Sequence, residues 1–135
     1  MNLYFDGDNI RKELLDEEAR LEAENFIPLA ADKKPARDAL KNAQLRRFFG
    51  EFKGYQRKLE QRQGAVDENF KSILPMVKMM NAKVTYARAR NVVPPSFESW
   101  MKKHVAAIES ARDFQAFLLH FEAVIGFCYG RNPKD

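Results

Sequence analysis

One cysteine, two histidines and one tryptophan are the scarce side chains from which this chain would have to build chemistry. Cys128 has no partner for an internal disulfide, and it sits on an apolar stripe, so it reads as core rather than as a nucleophile. No repeated His/Cys spacing marks a zinc site. The six glycines are isolated, so no glycine loop is present to cradle a phosphate. His104 and His120 fall on different expected helices, at the edge of the apolar stripes or off them, without a nucleophile–base pair. Asp6–Asn9 (DGDN) resembles a fragment of a calcium loop but lacks the later ligands and the closing glutamate. The expectation is no catalytic residue, no metal and no cofactor. No apolar run approaches the roughly 18 residues that cross a bilayer, and no secretory leader is visible. With the unpaired cysteine, this points to a cytoplasmic chain that does not meet a membrane. Alternation of period two is also missing, so no strand is expected.

What is present is an abundance of aromatic core and of unevenly placed charge. Eleven phenylalanines within 135 residues, and 45% hydrophobic content, are ample for one domain with its own core. The net charge of +4 conceals an asymmetry. Residues 1–30 carry eight acids and three bases, while the remainder carries 20 bases and 11 acids. From Lys71 to Phe97 there is no acid at all. A basic body of this kind favours a polyanionic partner.

Taken in order, Met1–Gly7 reads as irregular, and Asp8 as the N-cap of a first helix from about Asn9 to Asn25. Its apolar set is thin (Ile10, Leu14, Leu15, Leu21), which leaves it to pack loosely, to fray or to touch a partner. Phe26–Lys41, with Pro28 and Pro35, reads as a linker. The division expected is thus an acidic helix and linker over residues 1–41 and a helical-bundle core over 42–135. Asn42 suits an N-cap for a helix to about Gln63, striped by Leu45, Phe48, Phe49, Phe52, Tyr55 and Leu59. A third helix follows Asp67 and ends near Asn91. Pro75 within it predicts a kink, or a short helix followed by a longer one. Its stripe is Ile73, Val77, Met80, Val84 and Ala87, with Met76 beside it. Pro94-Pro95 stop that helix. Ser96 reads as N-cap of a fourth helix to about Ser110, and Asp113 lies at the start of a fifth that ends at Gly130. The fold class expected is all-α, a compact single-domain bundle of about five helices.

Basic residues are the signal that remains. Arg46, Lys53 and Arg57 stand at i, i+7 and i+11, so they form one column on the second helix. Arg47, Lys58 and Arg62 lie on another side, with Glu51 among them. Lys78, Lys83, Arg88 and Arg90 flank the stripe of the third helix. Lysine and arginine meet phosphates without reading sequence. The candidate nucleic-acid-binding set is therefore Arg46, Arg47, Lys53, Arg57, Lys78, Lys83, Arg88 and Arg90, the set that an RNA-binding reading would use. The aromatics lie on helical stripes, where they pack rather than stack on bases.

Three segments occur in a telling order: QLRRFFGEFK (44–53), MMNAKVTYARAR (79–90) and DFQAFLLHFEAVIGFCYG (113–130). From about Asn42 onward the chain resembles the small helical subunit of the type III-A CRISPR effector, the Csm complex. The resemblance implies an all-helical, non-catalytic subunit, present in several copies along a ribonucleoprotein. It would contact the backbones of guide RNA and target RNA and bridge neighbouring subunits, with self-association among its contacts. Arg46 and Lys53 match basic positions of the family's first segment. Lys83 and Arg90 match those of its K-x-x-x-Y-x-x-x-R pattern around Tyr86. Asn81-Ala82 stand where the family often has Lys-Pro, and Ala89 where it often has Gly. Tyr129 stands in place of a frequent lysine, for which Arg131 or Lys134 are the available substitutes.

The leading expectation is an RNA-binding structural subunit supporting antiviral interference. Its rival is a protein-interaction bundle whose basic faces dock acidic surfaces of neighbouring subunits. A third reading, a hydrolase, lacks a recognisable nucleophile–base pair.

Overall fold

A computed structural model describes residues 2–134. Five α-helices make up most of it: α1 (Glu17–Phe26), α2 (Asn42–Glu60), α3 (Val66–Ala89), α4 (Pro95–Ala107) and α5 (Ala111–Arg131). The all-α expectation holds, with one addition at the front. Phe5–Asp6 (β1) and Asn9–Ile10 (β2) pair antiparallel as a small hairpin. Gly7 is the first of its two loop residues and has φ +62°, a conformation that suits glycine and a type II′ turn. The strand signal was too short to read as alternation. A 3₁₀ turn at Lys12–Leu15 then leads into α1. Asp8 therefore caps nothing, and the expected first helix starts eight residues later than its sequence pattern suggested.

The acidic helix is not loosely held. Ala19, Ala23, Phe26 and Ile27 are fully buried, whereas Leu21 is exposed. Small alanines let α1 approach α5 closely, and the apolar pattern missed them because alanine carries little hydrophobic weight. The linker is also structured: the Leu40 amide bonds the Phe26 carbonyl at 2.8 Å, and Leu40 is buried.

Helix α5 is the centre of the bundle, with α1, α2 and α3 packed directly on it. Phe114, Phe117, Leu118, Phe121, Val124 and Cys128 of its stripe are buried. The stripes of α2, α3 and α4 face inward as their spacing predicts, with Phe49 and Tyr55 of α2 half-buried and all five positions Ile73, Val77, Met80, Val84 and Ala87 of α3 fully so. Helix α3 runs uninterrupted through Pro75, which is exposed, so water can satisfy the carbonyl that proline leaves unpaired. Pro94 and Pro95, not Ser96, occupy the N-cap and first turn of α4. That helix ends at Ala107, and Ser110 caps α5 instead: its hydroxyl accepts from the Asp113 amide at 3.1 Å, while Asp113 Oδ2 accepts from the Glu109 amide at 3.1 Å. Gly130 lies inside α5 rather than after it.

Both histidines are buried between α4, α5 and the N-terminal segment. Trp100 Nε1 donates to His120 Nε2 at 3.1 Å, so that nitrogen is unprotonated. The proton sits on Nδ1, which donates to the Leu14 carbonyl at 2.6 Å. His104 Nδ1 pairs with the Tyr4 hydroxyl at 2.9 Å. These bonds pin the N-terminal segment to the bundle. Burial pushes the pKa of both rings down, so both are neutral at pH 7.

Candidate nucleic-acid interface

Helix α2 lies between α3 and α5, so its buried face is fixed by Leu45, Phe48, Phe52 and Leu59, and its opposite face is left to solvent. That geometry decides where each candidate cation points. Arg46, Lys53 and Arg57 form a column on the α5 side. Arg46 donates to the Tyr129 hydroxyl of α5, and Lys53 leans over the Phe49 ring with its ammonium 5.9 Å from the centroid. Arg57 is exposed. Arg47 and Lys58 are exposed on the α3 side. Between the two columns α2 carries Gly50 and Gly54. A methyl placed on Gly50 would meet nothing within 4 Å, and one on Gly54 only Arg57 Nη2 at 3.7 Å.

Lys83 of α3 joins this flank through an ion pair, its ammonium 2.7 Å from Glu51 Oε2. The Tyr55 hydroxyl donates to the same oxygen at 3.2 Å. The Lys83 hydrogen bond holds the Glu51 carboxyl below its usual pKa and raises that of Lys83 itself. Glu51 thus offsets part of the positive charge on this flank. Both partners are exposed enough that the pair adds little to stability.

The remaining candidates stand elsewhere. Lys78 faces α4, where its ammonium bonds the Val105 carbonyl at 2.7 Å and that of Ile108 at 3.5 Å, capping the end of that helix. Arg88 points to the α3–α4 turn, with Nη1 3.5 Å from Asn91 Oδ1. There it lines a cavity of about 670 Å³ together with Arg37 and Lys41. Sequence reasoning passed over those two residues because the linker shows no helical period on which to place them. Arg90 is exposed and holds its guanidinium 5.5 Å from the centre of the Tyr86 ring. Near the C-terminus, Arg131 is committed to the Ile27 carbonyl at 2.8 Å. The eight candidates therefore split: Arg46, Arg47, Lys53, Arg57 and Lys83 ring the outer side of α2, Arg88 and Arg90 stand at the end of α3, and Lys78 does structural work between helices.

The reading of aromatics as core holds for Trp100 and for the phenylalanine cluster around it, but not for Tyr86, which is 62% exposed. The methionine group divides as well: Met80 is buried and Met79 is 56% exposed. Cys128 is buried, and burial raises its thiol to about 12, well outside the nucleophilic range. Among the described residues no cluster of His, Cys, Asp or Glu is arranged to hold a metal ion, and no helix is long and apolar enough to cross a membrane.

An all-α bundle of this size, with an open cationic flank and an acidic first helix, has the form of a small structural subunit. The chain belongs to the Csm2 Type III-A family, which matches residues 20–131, and it is thereby a structural small subunit of the type III-A CRISPR Csm complex. The match reaches back to residue 20, inside α1, well ahead of the segment whose motifs carried the resemblance. No curated protein and no solved structure matches the chain.

Proposed function

We propose that this subunit holds the sugar–phosphate backbone of guide and target RNA against the outer side of α2, and that it performs no chemistry of its own. The observation that carries this reading is the juxtaposition of two columns of cations on one rigid helix, Arg46–Lys53–Arg57 and Arg47–Lys58, across a floor of Gly50 and Gly54. Phosphates need charge at a fixed spacing, and the missing side chains between the columns let a backbone come close. Arg88 and Arg90 extend the cationic surface past the end of α3, and Arg37 and Lys41 extend it across the cavity they share with Arg88 and with one acid, Asp38. Such contacts are sequence-independent.

The test is salt-dependent binding of an unstructured single-stranded RNA. Each phosphate neutralised contributes about −0.7 to the slope of log K against log salt. Replacing Lys53 and Arg57 by glutamate should weaken binding and flatten the slope by more than one unit, with the helical fold retained. Equal affinity at low and high salt would rule out phosphate contact.

A second reading is favoured by Leu21, 44% exposed on the acidic helix α1, which offers a charged and partly apolar surface to the basic flank of a neighbouring subunit. In that case the same charge reversal would abolish assembly and leave RNA affinity unchanged.

A further inference from the structure

Among the described residues, the two most exposed of the large apolar side chains are Met79 and Tyr86, and they lie seven residues apart on one face of α3. This face is opposite the buried stripe. Beside Tyr86, between α3 and α4, runs a shallow cleft of about 590 Å³. Its floor is Ala82 and Ala89, its walls Asn81 and Thr85, and its far rim Lys102 of α4. Apolar surface dominates the lining. A charged exception stands at the edge: Lys102, which also holds Glu98 at 3.0 Å. Arg90 extends the cationic border, its guanidinium 5.5 Å from the Tyr86 ring centre.

We infer that the cleft beside Tyr86 receives a single unstacked RNA base, stacked on the tyrosine ring, while its phosphates meet the cations at the rim. This rests on the RNA-binding reading above and adds to it a contact with a base rather than with backbone.

Two features favour a base over a side chain of another protein. A flat aromatic ring above small alanines leaves a slot that suits a planar group. Arg90 over the ring supplies positive charge on one side of the slot, Lys102 opposite is partly offset by Glu98, and no acid lies on α3 beyond Glu68, so the net charge around the ring is positive and attracts a polyanion. A base held in this way would be read by its π-face, as aromatic platforms for single strands do, with little sequence preference.

The experiment compares two labelled dodecamers at one low salt concentration by fluorescence anisotropy: oligouridine RNA, and the same ribose–phosphate chain without bases. The full-length chain is used, as wild type, Tyr86→Phe and Tyr86→Ala. Tyr86 is exposed and alanine is a good helix former, so the variants keep the fold, which circular dichroism checks. Wild type should bind the uridine strand more tightly than the abasic strand by at least about fivefold, the lower bound for one stacked base. Tyr86→Phe should keep that ratio, and Tyr86→Ala should bring it close to one without changing affinity for the abasic strand. A Tyr86→Ala chain that still discriminates as wild type does would overturn the inference. So would a Tyr86→Ala chain with unaltered RNA binding and altered sedimentation, which would make the cleft a protein contact. If wild type bound neither strand, the RNA-binding reading itself would fall, and the base site with it.

Discussion

Gly50 and Gly54 offer a perturbation with two opposite consequences. Both lie inside α2, where glycine is a poor choice: relative to alanine it costs about 0.8–1.0 kcal/mol, through backbone entropy. Nothing in the fold demands it. Neither residue has positive φ, and an added methyl at Gly50 meets nothing within 4 Å, while at Gly54 it meets Arg57 Nη2 at 3.7 Å, an ordinary contact. Gly50→Ala and Gly54→Ala should each stabilise the free protein by about 0.9 kcal/mol. For a chain of 135 residues, with an unfolding entropy of about 2.1 cal/mol/K per residue, that raises Tm by about 3 °C per substitution. Thermal melts by circular dichroism read this directly. The same methyls would stand between the two cationic columns, so RNA affinity should fall while stability rises. A drop in Tm would refute the account of α2 as a helix with free space at these positions. A rise in Tm with unchanged RNA affinity would show that no backbone approaches the helix there.

Two further outcomes follow from side chains that the interface does not use. Lys78→Met removes the ammonium that bonds the Val105 and Ile108 carbonyls, and should cost about 1 kcal/mol in a urea melt. It should weaken RNA binding less than Arg57→Met does, and the reverse order would return Lys78 to the interface. The two buried histidines set a pH dependence. Their folded pKa values lie below the unfolded value of about 6.5, so the unfolded chain binds more protons in acid. The stability they contribute is complete above pH 7 and declines as pH falls below about 6.5, by up to about 1.4 kcal/mol per histidine per pH unit. Urea melts between pH 8 and pH 5 check the slope, and a flat profile would mean that the rings are not held neutral.

Helical spacing made the bundle legible where side chains were large. The stripes of α2 to α5 are long and built mostly of large apolar side chains, so their buried faces follow from period alone. The signal failed where packing depends on small residues or on pairing across distance. Ala19 and Ala23 seat α1 against α5 without adding to an apolar pattern. The His120–Leu14 and His104–Tyr4 bonds join residues about a hundred positions apart, which no local rule reveals. Asn42, a fair N-cap by type, is instead a buried first-turn residue of α2 that holds the tail of the chain. The cations show the same division. Spacing put Arg46, Lys53 and Arg57 in one column, but only the neighbours of Lys78 assign it to α4. Tyr86 escaped because it stands close to buried Val84 and Ala87 in sequence, while the turn of the helix carries its ring outward.

The hold that Asn42 has on the tail reaches further than local order. Its amide nitrogen bonds the carbonyl of Asn132 at 2.6 Å and that of Lys134 at 2.7 Å, so the last described turn of chain is latched beside the root of α2. Arg46 lies one turn along that same helix and leans on Tyr129. The tail and the first cation of the column thus share a hinge-post. A stop codon placed just after Arg131 would take both carbonyl partners from a fully enclosed amide, and its effect would be felt first at the Arg46 end of the proposed RNA surface. Fusion tags follow the same logic: a reporter joined to this end sits beside the latch, whereas one grafted at the exposed Gly64 turn between α2 and α3 leaves it closed.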